Sequence, residues 1–80
     1  MTQIKIHQML TDVFRDVLDQ PSLEIAETTT APQVKGWDSL AHINLIVAVE
    51  NAFAVTFSTK DVKALANVGD FIRLIERRLS

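Results

Sequence analysis

The sequence predicts an all-α fold, a small bundle of three longer helices and one short third helix. Three observations predict it. Apolar residues recur at spacings of three and four in separate segments. Thr2, Ser58 and Asn67 stand where a helix cap is required. No alternating strand pattern competes, and no internal repeat or low-complexity tract interrupts the order long helix, long loop, helix, short helix, helix.

Thr2 caps the first helix. Ile4, Leu10, Val13, Phe14, Val17 and Leu18 supply its apolar stripe, over about residues 3 to 19. Pro21 stops it, because the residue before a proline is pushed away from helical geometry. Residues 20–37 form a long connection containing Pro21, Pro32, Gly36 and the β-branched run Thr28-Thr29-Thr30. A loop this long in so small a domain is unusual and often functional. Leu23, Ile25 and Val34 are expected to pin it to the core.

The stretch Gly36-Trp37-Asp38-Ser39-Leu40 turns that loop into the second helix, about 39 to 53. At 100° per residue its apolar side chains divide into two stripes. Leu45, Ile46, Val49 and Phe53 are assigned to the core. Leu40, Ile43 and Val47 lie more than a quarter turn away, with Ser39 and Glu50 beside them. A helix in a small bundle buries one stripe, so this second one is a candidate docking surface unless the helix is covered on both sides. Trp37 either packs against the loop and first helix or stays partly exposed beside whatever Ser39 carries.

Val55 and Phe57 point inward from a short extended link. Ser58, with Asp61 in the first turn, starts a third helix at about 59–65. Asn67 and Asp70 repeat that signal for a fourth, about 68–79, with Val68, Phe71, Ile72, Ile75 and Leu79 as its stripe. Arg77 and Arg78 oppose the negative end of its dipole.

Eighty residues make one domain, 1–80. A chain of this length buries only about 60–65% of its unfolded surface, so its stability is modest. Hydrophobic residues at 48% rule out a disordered chain. A net charge of −2, with no basic cluster beyond Arg73, Arg77 and Arg78, gives no electrostatic support for nucleic acid. The presumed recognition helix of a helix-turn-helix, 39–53, has no Lys or Arg. The absence of cysteine excludes disulfides and thiolate chemistry on the chain itself, and fits a cytoplasmic protein. Asp12, Arg15, Asp16 and Asp19 are incompatible with a signal peptide, and no apolar run reaches the roughly 20 residues of a membrane span. Beginning at Met1, the chain reads as a discrete, monomeric protein with no membrane partner.

Ser39 has His42 three residues on and Asp38 beside it, but no G-x-S-x-G elbow, no leading strand and little room for an enclosed oxyanion site. An enzyme is therefore not expected. His7 and His42 lack the companion ligands of a metal site. Attachment fits better. A helix N-terminus stabilises an anion, including a phosphate ester on its own serine. Asp38 offers a modifying enzyme an acidic handle, and the stripe at 40, 43 and 47 lets partners dock beside the load.

Asp38-Ser39-Leu40, followed by an apolar helix ending Val49-Glu50-Asn51-Ala52-Phe53 and by Asn67-Val68-Gly69-Asp70-Phe71-Ile72, resembles the acyl carrier proteins of the phosphopantetheine-binding family. The likeness covers essentially the whole chain. It implies a four-helix bundle of acyl-carrier-protein type. It implies that Ser39 takes 4′-phosphopantetheine from coenzyme A through a Mg²⁺-dependent phosphopantetheinyl transferase, with Asp38 aiding recognition. The arm's thiol then holds an acyl or aminoacyl group as a thioester, supplied by a loading enzyme and used by a downstream synthase or transferase. Trp37, Leu40, Ile43, Val47 and Glu50 are the expected partner contacts.

Two departures stand out. Ala41, Asn44, Asn51 and Ala52 occupy positions where fatty-acid-synthesis carriers commonly have acids, leaving Glu50 alone between 39 and 53. Trp37 replaces the small residue often found before the Asp-Ser pair. Fewer rim charges change electrostatic steering and partner choice. The expectation is a specialised carrier of polyketide, secondary-metabolite or modified-saccharide type. The alternatives are a peptidyl carrier loaded by an adenylating enzyme and, from another class, an unmodified helical adaptor that binds through the second helix.

Overall fold

The computed structural model describes residues 1–80 and contains four α-helices and no strand. Helix α1 spans Gln3–Val17, and Thr2 Oγ1 accepts the Lys5 N–H at its start. Its end differs from expectation. The helix closes ahead of Pro21, at Asp19, which takes the left-handed conformation with φ 53°. The Gln20 N–H reaches back to the Arg15 carbonyl at 2.9 Å and the Asp19 N–H to that of Asp16 at 3.3 Å. This pair of bonds satisfies carbonyls that a helix end leaves open, and Asp tolerates the left-handed region better than most residues.

Ile6, Leu10 and Phe14 form the fully buried ridge of α1. Ile4, expected in that stripe, is 74% exposed. Six residues separate it from Leu10, which is about 240° around the helix, so the two cannot share a face. Ile6, at four-residue spacing from Leu10 and eight from Phe14, takes the place assigned to Ile4.

The connection to the next helix contains one short 3₁₀ turn, Ala31–Gln33. Ile25, Val34 and Trp37 bury their side chains, and Leu23 packs at the core's edge. Because the segment is irregular, its backbone polar groups need partners from elsewhere. Arg15 Nε donates to the Leu23 carbonyl at 2.7 Å, and Gln20 Nε2 to that of Lys35 at 2.6 Å. His7 Nε2 lies 2.5 Å from the Ile25 carbonyl.

Helix α2 spans Ser39–Phe53, helix α3 Thr59–Lys63 and helix α4 Val68–Leu79. Ser58 and Asp61 cap α3 reciprocally, each side chain accepting the other's backbone N–H. The short helix ends at Lys63, two residues before the expected end. Asn67 Oδ1 accepts the Asp70 N–H to start α4. Val68, Phe71, Ile72, Leu74 and Ile75 are its buried apolar side chains. Leu74 was not expected there, and Leu79, which was, is 37% exposed in the last turn. Two backbone bonds dock the start of α4 on the loop, from Val68 N–H to Thr29 and from Gly69 N–H to Glu27, each 2.9 Å. Arg78 pairs with Asp61 and so ties α4 to α3. Helix α1 packs against both α2 and α4, and one apolar core joins the helices and the long loop.

Candidate functional site

The site begins with Gly36, whose φ of +86° lies where a side chain is strained. This turn drops Trp37 into the core. Trp37 is only 8% exposed, so of its two expected arrangements the fold adopts the one in which the ring packs against the first helix, and the partly exposed partner contact is not formed. Its indole packs edge-on to Phe14, with centroids 4.9 Å apart. A buried tryptophan needs an acceptor for its N–H. His42 provides it, Nδ1 accepting at 3.1 Å. The His42 ring lies nearly parallel to the indole, at an interplanar angle of 18°, and meets Phe71 of α4 at an inclined angle.

The chain then emerges. Asp38 is extended, and its Oδ1 accepts the Ala41 N–H at 2.8 Å, making it the N-cap of α2. Ser39, the first residue of α2, is exposed. The N–H groups of Ser39 and Leu40 have no partner within the protein. An exposed hydroxyl therefore stands beside free amides at the positive end of a fifteen-residue helix, an arrangement that suits a phosphate ester.

Burial separates the two stripes of α2. Leu45, Ile46, Val49 and Phe53 are buried, whereas Leu40, Ile43 and Val47 are exposed. Glu50, expected as a docking charge, is half-buried and also has a structural contact. Its Oε2 accepts the Phe57 N–H at 2.8 Å and holds the link after α2 against the helix.

Nothing here activates a nucleophile. Ser39 makes no hydrogen bond to His42, whose Nδ1 is occupied by the indole. Burial holds the His42 imidazole below the usual histidine range, which favours the neutral form that this bond requires. His42 is the residue that sequence reasoning undervalued. The available signal was a lone tryptophan at a loop-to-helix boundary with a histidine in the first turn beyond it. Helices α3 and α4 each carry an acid held below the ordinary carboxylate range. Asp61 is stabilised by the Ser58 N–H and Arg78, and Asp70 by the Ala66 N–H and Arg73.

Fold and corner together define a class: a small helical bundle that presents a serine hydroxyl on its surface at the start of a helix. The comparisons with known proteins agree. Residues 8–75 match the family described as "Phosphopantetheine attachment site". An acyl carrier protein from Exiguobacterium is 32% identical over 75 residues, covering 90% of this chain and 95% of the relative. One from Prochlorococcus marinus is 28% identical, covering 98% of each. The solution NMR structure of a holo acyl carrier protein from Geobacter metallireducens superimposes with a TM-score of 0.85 at 38% identity, covering 90% of this chain and 83% of that one.

The chain belongs to the acyl carrier proteins of the phosphopantetheine-binding family. It is a carrier and not an enzyme, and its prosthetic group is 4′-phosphopantetheine. Members of the family work with a phosphopantetheinyl transferase and with the enzymes that load and use the cargo. The residues present fit the group. The exposed Ser39 hydroxyl and its free neighbouring amides suit the phosphate, and a chain without cysteine needs the arm's thiol to form a thioester.

Proposed function

We propose that Ser39 carries the 4′-phosphopantetheine arm. The observation that supports this most directly is the exposed hydroxyl at the start of α2, with Asp38 capping the same turn. In the loading step Ser39 Oγ bonds to the pantetheine-bearing phosphorus of coenzyme A. The pyrophosphate bond breaks, adenosine 3′,5′-bisphosphate leaves, and the hydroxyl proton passes to a base of the transferase. Asp38 holds the turn in the shape the transferase meets. Leu40, Ile43 and Val47 form the apolar strip on which partners dock.

The pathway is a specialised one, of polyketide, secondary-metabolite or modified-saccharide type. The support is the charge of α2. Its only acid is Glu50, one oxygen of which accepts the Phe57 N–H, so the docking face offers few charges for strongly basic partners to read.

Incubation with coenzyme A and a broad-specificity phosphopantetheinyl transferase, followed by intact-mass measurement, tests the attachment. One phosphopantetheinyl group is gained by the wild type and none by Ser39→Ala. The same gain in both proteins refutes the assignment. Efficient elongation of the holo form by fatty-acid-synthesis enzymes refutes the specialised pathway, and charging with an amino acid by an adenylating enzyme replaces it with a peptidyl-carrier role.

A further inference from the structure

His42 is committed on one side and open on the other. Its Nδ1 accepts the Trp37 indole N–H, so the neutral ring carries its proton on Nε2. Nε2 has no partner within the protein, and the fold leaves no buried side-chain nitrogen unsatisfied, so this atom meets solvent. Trp37 and Phe71 both neighbour the ring, each with its centroid 6.0 Å from that of the imidazole. His42 and Ser39 are three residues apart on α2 and hence neighbours on its surface. Both line an open cavity of about 470 Å³, with Ala31, Pro32 and Leu65 also in its lining.

We infer that His42 is a positioning residue for the loaded arm, its Nε2–H donating to a phosphodiester oxygen of the group on Ser39. The inference rests on Ser39 being the attachment residue. Charge supports it. Asp38 is the one acid lining the cavity, and its carboxylate already accepts the Ala41 N–H. The loop contributes Trp37, Ala31 and Pro32, the segment after α3 contributes Leu65, and α4 contributes Phe71, none of them charged. Loading adds an anion to this surface, and an anion close to an imidazole favours its protonated form. Protonation removes the Nδ1 acceptor from Trp37 and strengthens the Nε2 bond to phosphate. Proton uptake thus gives up the contact with the core and strengthens the contact with the arm.

The test uses the holo protein, with its mass verified and its loading shown to depend on Ser39. A phosphodiester does not titrate over roughly pH 5 to 8, whereas a histidine does. The ³¹P resonance should therefore move with His42 protonation. The His42 titration, followed by NMR, should shift upward between the apo and holo forms. In His42→Gln, whose amide oxygen still accepts from Trp37, the ³¹P response should vanish while Trp37 fluorescence reports an intact fold. A pH-independent ³¹P resonance in the wild-type holo protein overturns the inference, as does a His42 titration unchanged by loading. Both of those readouts use the wild type, so they stand whether or not the variant folds. Failure to load at Ser39 is a different result, seen by mass, and removes the attachment reading itself.

Discussion

Glu50 accepts the Phe57 backbone N–H at 2.8 Å across seven residues of chain. The one acid of α2 thus fastens the link that follows the helix. Glu50→Ala leaves the Phe57 N–H without this acceptor and should cost about 1.5–3 kcal/mol, by the worth of hydrogen bonds to charged groups. Glu50→Gln keeps an acceptor and should stay within about 0.5 kcal/mol of wild type. Urea denaturation followed by Trp37 fluorescence separates the two. Equal losses for both variants would mean that the charge, and not the hydrogen bond, matters.

Leu40, Ile43 and Val47 are 70%, 60% and 51% exposed, so truncating them removes little buried surface. Single alanine variants should keep the wild-type unfolding midpoint within about 0.5 kcal/mol. If the strip is the docking surface, they should lower transferase kcat/KM, the most central contact by about tenfold or more. Steady-state loading kinetics alongside unfolding curves decide it, and full loading efficiency in all three variants would remove the strip from the interface.

Gly69 donates its N–H to the Glu27 carbonyl at 2.9 Å, and a Cβ at Gly69 would stand 3.1 Å from that same oxygen. The oxygen cannot withdraw without lengthening the bond it accepts. Gly69→Ala should therefore destabilise by about 1–2 kcal/mol through overpacking, despite alanine's better helix propensity. Hydrogen exchange at the Gly69 and Val68 amides should rise in parallel, showing that the α4–loop junction has loosened.

Acid should weaken the fold in two steps. Burial lowers the His42 pKa in the folded protein, so the unfolded chain binds its proton first. The contribution of neutral His42 is complete above the unfolded value of 6.5 and is lost as pH falls through the lower folded value. Asp61 and Asp70 are likewise lowered from 3.8, so their contribution is present above that value and is lost as pH falls through their folded values. Thermal unfolding against pH should show both declines. His42→Gln should remove only the upper one, and Asp61→Asn should reduce the lower one.

Much of this molecule is legible in the sequence, for a local reason. Thr2, Ser58 and Asn67 cap their helices with bonds spanning three residues, and α2 and α4 start and stop where capping and periodicity place them. The division of α2 into a buried and an exposed stripe follows from 3.6 residues per turn alone. The chemistry of the corner at Asp38 and Ser39 is likewise written in adjacent residues. Tertiary structure decided what depends on distant partners. It drew Trp37 inward against Phe14, gave its N–H to His42, and set Gly69 against Glu27. Those outcomes depend on where the twenty-one-residue connection 18–38 closes over the core, and short-range propensity and periodicity carry no information about that closure.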